Sequence, residues 1–184
     1  MKRIVVGITG ASGIIYGVNF LRKCPGEKFL IVSKWGKRVL FEEMGLKVEE
    51  LESWVKKTFS DSDLAAPFSS GSNPFDAMVI IPCSVSTMSK IASGIADTLI
   101  TRAAHVAMKE KRKLILAIRE TPLNSIALEN ALKLSREGVV IMPISPPHYI
   151  NPKTMDELVE GFVDKCLSIT GFDTNRGWKM EELE

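Results

Sequence analysis

Ala77-Met78-Val79-Ile80-Ile81-Pro82-Cys83-Ser84-Val85-Ser86-Thr87 is the stretch from which the fold of this 184-residue chain is read. Its first five residues form an apolar run too short for a helix core and closed by Pro82, the pattern of a strand buried on both faces. Hydroxyl side chains follow at once, Ser84, Ser86, Thr87 and Ser89. A long helical pattern then runs to Lys113, and in it Arg102, His105, Lys109 and Arg112 recur at spacings of 3, 4 and 3. Those spacings place all four on one helix face. A buried strand that empties into small hydroxyls and leads to a basic stripe suits a bound phosphate ester. It equally suits an ordinary strand–loop–helix unit with a solvated face.

Upstream, Ile4–Ile8 is predicted as another buried strand, running into Thr9-Gly10-Ala11-Ser12-Gly13 and a helix to about Lys23. Glycines allow a tight turn, and the following helix N-terminus offers unpaired N–H groups to an anion. The spacing Gly7-x-x-Gly10-x-x-Gly13 is not the dinucleotide fingerprint, whose first two glycines are two apart. Phe29–Val32 is a second strand, ending in Ser33. In the helix after it, Glu43 falls on the apolar side set by Val39 and Leu40, either at the core edge reaching water or facing a site. Lys47–Phe59 is predicted as a charged surface helix, and Ser60–Asp76, with its Pro, Gly and Ser, as a loop.

Downstream, Leu114–Ile118 is a strand ending in Arg119-Glu120, a pair that is either functional or a surface ion pair. Thr121 and Pro122 are predicted as N-cap and first residue of a helix. Val139–Met142 is a fifth strand, followed by a proline-rich segment holding His148 and Tyr149. From about Thr154, Met155, Leu158, Val159, Phe162, Val163, Cys166 and Leu167 mark an amphipathic helix.

Apolar strands alternating with helices predict an α/β fold: a three-layer, doubly wound parallel sheet, Rossmann-like or flavodoxin-like. Residues 1–184 are read as one domain. Ligands bind such sheets beyond the carboxyl ends of the strands. There this chain places Gly10–Gly13, Ser33, Cys83–Thr87, Arg119-Glu120 and Pro143–Tyr149, polar groups distant in sequence that converge on one edge.

Composition narrows the functions. A net charge of +2 gives no global argument for nucleic acid or a membrane surface. Three cysteines without metal-ligand spacing fit a reducing, cytoplasmic compartment. The apolar run after Met1-Lys2-Arg3 is too short for a signal peptide, and no run reaches the roughly 18 residues of a spanning helix. Neither of the two histidines follows a nucleophile elbow, and no ligand cluster points to a metal.

Several motifs in order then carry a resemblance. They are Gly7-Ile8-Thr9-Gly10-Ala11-Ser12-Gly13, Ser33-Lys34, Pro82-Cys83-Ser84, Asp97-Thr98-Leu99-Ile100-Thr101-Arg102-Ala103-Ala104 and Lys109-Glu110-Lys111-Arg112. Arg119-Glu120-Thr121-Pro122, Tyr149 and Arg176-Gly177-Trp178 complete the set. The chain resembles the UbiX-type flavin prenyltransferases, within the homo-oligomeric flavin-containing Cys decarboxylase-like proteins. The resemblance implies joining of a dimethylallyl group to N5 and C6 of reduced FMN, from dimethylallyl phosphate and without a metal. It also implies a homo-oligomer, a dodecamer, and delivery of prenylated FMN to a UbiD-type decarboxylase.

By the same resemblance, Gly10, Ala11, Ser12, Ser33, Ser84, Val85, Ser86, Thr87 and Arg102 contact FMN. Lys109, Arg119, Tyr149 and Lys165 hold the prenyl phosphate, while Ser12, Glu43 and Glu120 serve proton transfer and the developing allylic cation. Cations on the departing phosphate stabilise the leaving group, and an acid such as Glu120 can protonate it. Glu43, on an apolar face, is the group expected to be tuned by desolvation. Lys165 stands where many members carry Arg, exchanging a bidentate contact for a point charge. His148 and Ile150 also depart from the common pattern at the pocket rim. Two other functions compete: an FMN-dependent decarboxylase, whose relatives use an early histidine lacking before His105 here, and a non-catalytic FMN carrier.

Overall fold

The computed structural model describes residues 1–174, so Arg176-Gly177-Trp178 lies outside the described residues. Six parallel strands form one sheet: β1 (Arg3–Ile8), β2 (Glu27–Val32), β3 (Lys57–Ser60), β4 (Ala77–Cys83), β5 (Lys113–Ile118) and β6 (Val140–Pro143). Their order is β3-β2-β1-β4-β5-β6, so the winding reverses between β1 and β4. Six α-helices accompany them: α1 (Ile14–Lys23), α2 (Lys34–Met44), α3 (Val85–Ala92), α4 (Leu99–Lys109), α5 (Ser125–Arg136) and α6 (Met155–Thr170).

Alternate strand residues serve two separate cores. Ile4, Val6, Ile8, Val79, Ile81, Ile115 and Ala117 pack with α1 and α6, while Val5, Met78, Ile80, Leu114 and Leu116 pack with α3, α4 and α5. Both sheet faces are thus covered, which is why the strand segments are apolar throughout instead of alternating. Pro82 sits inside β4 without an N–H to give, and the β4–β5 register shifts between Ile80 and Cys83. Past that irregularity the chain turns into the site.

Three expectations are corrected. Lys47–Phe59 is not a helix: a 3₁₀ turn covers Val48–Trp54, and Lys57–Ser60 pairs with Phe29–Val32 as an edge strand. Pairing with β2 overrides the helical tendency of the charged residues before it. The helix after β5 starts at Ser125, not Pro122; the Asn124 side chain accepts from Ala127 N at 2.9 Å, and Thr121-Pro122 lies in the connection. The basic pattern from Arg102 to Arg112 does not belong to one helix, because α4 ends at Lys109 and Arg112 lies beyond it. The last helix begins as expected, with Thr154 Oγ1 accepting from Glu157 N, although Met155 is exposed.

Candidate functional site

Helices α2, α3 and α4 all begin beyond the carboxyl ends of strands, and their first turns wall a cavity of about 400 Å³. Each starts with a hydroxyl that accepts from its own helix: Ser33 from Gly36 N at 3.0 Å, Ser84 from Thr87 N at 3.2 Å and Thr98 from Thr101 N at 3.3 Å. A helix N-terminus carries roughly half a positive charge. Three such termini with a rim of hydroxyls, to which Thr9, Ser86, Thr87 and Thr101 add, make a site for an anion with a polyhydroxylated tail.

The cavity sits at the switch point of the sheet, and Thr9 fastens it. Its Oγ1 donates to Pro82 O at 2.9 Å and accepts from Ser84 N at 2.8 Å, tying the end of β1 to the end of β4. Two cations and one carboxylate line the wall: Lys34, Lys90 and Asp61. Lys90 is partly neutralised by Asp97 at 2.6 Å. Asp61 Oδ1 accepts from Ile100 N at 2.9 Å, and burial pushes its carboxyl above the usual range against the opposing pull of hydrogen bonds from Ile100 N and Thr98. Cys83 is fully buried beneath the hydroxyls, its thiol pushed up to about 12 by burial, so it supplies no thiolate.

Of the glycine loop, Thr9 and Gly10 line the cavity. A Cβ at Gly10 would lie 2.4 Å from Trp35 Cβ, so a side chain there would push α2 off the loop. Gly13 adopts the left-handed conformation (φ 93°) and has no side chain with which to cap α1. Glu43, from the last turn of α2, supplies that cap: its carboxylate accepts from Gly13 N at 2.9 Å and from Ile14 N at 3.0 Å. The Glu43 side chain is exposed in the single protomer. The amides at the α1 N-terminus are engaged by a carboxylate already. Arg119 Cγ stands 3.8 Å from the position of a Cβ on Gly13, and Glu120 accepts from Thr121 N at 3.0 Å; both residues are exposed just past β5.

The cations of the basic pattern hold protein backbone. Arg102 Nε donates to Ser69 O at 2.9 Å, while Arg112 donates to Gly71 O at 2.6 Å and Asn73 O at 3.0 Å. The Arg112 guanidinium also stacks on Phe75, 4.6 Å from the ring centroid. Lys109 pairs with Glu110 at the far end of α4, about 15 Å along the axis from its first turn. Gly10, Ser33, Ser84, Ser86 and Thr87 of the expected set therefore come together around the cavity. Ala11, Ser12, Glu43, Val85, Arg102, Lys109, Arg119, Glu120, Tyr149 and Lys165 do not line it within one protomer.

Sequence reasoning did not single out Thr9, Lys34, Trp35, Asp61, Lys90, Thr98 and Thr101 as site residues. A signal existed for the last two. Thr98 and Thr101 flank Leu99-Ile100 in the spacing of a capping box, and each side chain accepts from the other's backbone N–H. Asp61 gave none, since it reaches α4 from a loop 39 residues earlier.

A sequence model of the Flavoprotein family matches residues 1–168. The flavin prenyltransferase UbiX of Thermoplasma acidophilum is 48% identical over 170 residues, which cover 92% of this chain and 94% of that one. The crystal structure of AnUbiX (PadA1) in complex with FMN and dimethylallyl pyrophosphate superposes with a TM-score of 0.92 at 37% identity, covering 97% of this chain and 99% of that chain. A dodecameric FMN-dependent UbiX-like decarboxylase from Escherichia coli O157:H7 also gives 0.92, at 39% identity, covering 96% and 99%. Matched by the family model over residues 1–168 and by these relatives over nearly its whole length, the chain belongs to the UbiX-type flavin prenyltransferases of the Flavoprotein family.

Proposed function

We propose that this protein joins a dimethylallyl group from dimethylallyl phosphate to N5 and C6 of reduced FMN. The observation that carries the reading is the cavity where three helix N-termini and their capping hydroxyls meet, in a chain so similar to a UbiX solved with FMN and dimethylallyl pyrophosphate. The residues fit FMN: dipole ends, Lys34 and Lys90 match a phosphate, and Thr9, Ser33, Ser84 and Thr87 match a ribityl chain. Bound reduced flavin supplies the nucleophile; the chain supplies position and proton transfer.

In this reading Gly10, Ala11, Ser12, Ser33, Ser84, Val85, Ser86, Thr87 and Arg102 hold FMN. Lys109, Arg119, Tyr149 and Lys165 hold the prenyl phosphate, Glu120 protonates it as it departs, and Ser12 and Glu43 take part in proton transfer at the flavin side. Lys109 lies too far along α4 to serve its own cavity, so the site is completed by neighbouring protomers of a homo-oligomer, proposed as a dodecamer. The product passes to a UbiD-type decarboxylase in the cytoplasm. No described helix is long and apolar enough to cross a membrane. Direct decarboxylation is disfavoured because neither histidine, His105 nor His148, lines the cavity, and desolvation with the nearby Arg102 holds the His105 pKa down.

The test is incubation with reduced FMN and dimethylallyl phosphate, followed by mass analysis of the flavin. A gain of one prenyl group is expected, lost by about 10²–10⁴-fold in Glu120→Gln while FMN stays bound. Unmodified flavin from the parental protein would leave carriage alone.

A further inference from the structure

The cavity wall carries one aromatic side chain among its described lining residues, Trp35, on the first turn of α2. The rest is hydroxyl, Lys34, Lys90, Asp61, Gly10 and the aliphatic Ile100. Trp35 is 68% exposed, an unusual state for an indole, whose large apolar area normally packs. Its backbone is nonetheless anchored. Ser33 caps the turn through Gly36 N, and the close approach of Gly10 to Trp35 Cβ pins the root of the side chain to the β1 loop. The indole thus stands at the lip on a fixed base, also facing a neighbouring groove formed with Lys34, Arg38, Val39 and Glu42.

A flavin nucleotide has two unlike parts. Its ribityl phosphate suits the hydroxyls and helix termini, but its flat tricyclic ring needs an apolar plane, which no hydroxyl offers. We infer that Trp35 stacks on the isoalloxazine ring of bound FMN, covering one face from water and leaving the other for the prenyl donor. This rests on the reading of FMN as the ligand. Stacking explains why a tryptophan is kept exposed on an otherwise polar wall, and it makes Trp35 a determinant of flavin position beyond the residues that hold the phosphate.

The test begins with the wild-type protein, whose FMN content is read by absorbance after ultrafiltration. Contact with an indole quenches flavin emission, so bound FMN should be weakly fluorescent. In Trp35→Leu the emission of bound FMN should rise several-fold and affinity should fall about 3- to 10-fold, with Trp35→Phe between the two. If Trp35→Leu binds FMN with parental affinity and parental emission, the stacking inference is overturned while the flavin site stands. If the wild type retains no FMN, both the inference and the proposed function fail, and that is seen before any variant is made.

Discussion

Replacing Glu43 separates a structural duty from a chemical one. Its carboxylate satisfies two backbone amides, Gly13 N and Ile14 N, at the start of a helix whose own N-cap residue is a glycine without a capping side chain. Loss of an N-cap acceptor costs about 1 kcal/mol, and loss of a negative charge at a helix N-terminus a further 0.3–1 kcal/mol or so. Water reaches this exposed cap and offsets part of the loss, so Glu43→Ala should cost about 1–2 kcal/mol. For a domain of this size, that lowers the melting midpoint by about 3–7 °C. Glu43→Gln keeps an acceptor oxygen but not the charge, and about half that shift is expected. Thermal unfolding followed by circular dichroism at fixed protomer concentration measures both. A Glu43→Ala protein melting with the parent would refute the cap. Product formation is then compared in the Gln variant: a rate loss far beyond its small stability loss identifies proton transfer, whereas a proportionate one leaves Glu43 a cap only.

Arg112→Ala should destabilise the protein by roughly 2 kcal/mol, because two charge-assisted bonds to Gly71 O and Asn73 O and the stack on Phe75 go together. Arg112→Lys should not rescue it, since an ammonium cannot reproduce the fork, and denaturant melts of both variants check this. Asp61 gives a pH effect of defined sign. Its folded pKa is raised, so the folded protein keeps a proton that the unfolded chain has lost, and its contribution to stability declines as pH rises through and above the ordinary carboxyl range. Asp61→Asn, which retains an acceptor for Ile100 N, should therefore melt higher than the parent at pH 7 and lose that advantage near pH 4. The reverse ordering would contradict a desolvated carboxylate.

Central strands were legible because burial on both faces writes them as unbroken apolar runs, as in Met78–Ile81 and Leu114–Ile118. The edge strand Lys57–Ser60 was not, because one side lacks a partner, the strand is only four residues long, and Lys57 remains exposed. The site divides in the same way. Ser33 and Ser84 could be placed from the ends of their strands. Glu43 and Asp61 act on helices 29 and 39 residues away, and no local periodicity encodes a cap supplied from such a distance. The basic stripe that includes Arg102 and Arg112 suited an anion and a solvated face alike, because charge alone is visible in sequence. The carbonyls of Ser69, Gly71 and Asn73 that they bind are not.

The meeting of α2, α3 and α4 has a consequence for the empty protein. Three like dipole ends held together repel one another, so this corner is frustrated: the rest of the fold keeps it in a shape that is comfortable only with an anion inside. The cost is met during folding and need not be met again when ligand arrives, which is preorganisation in its thermodynamic sense. Inorganic phosphate or sulfate relieves the same repulsion. On the proposed reading, a preparation in phosphate buffer should therefore melt higher than one in a buffer without such anions.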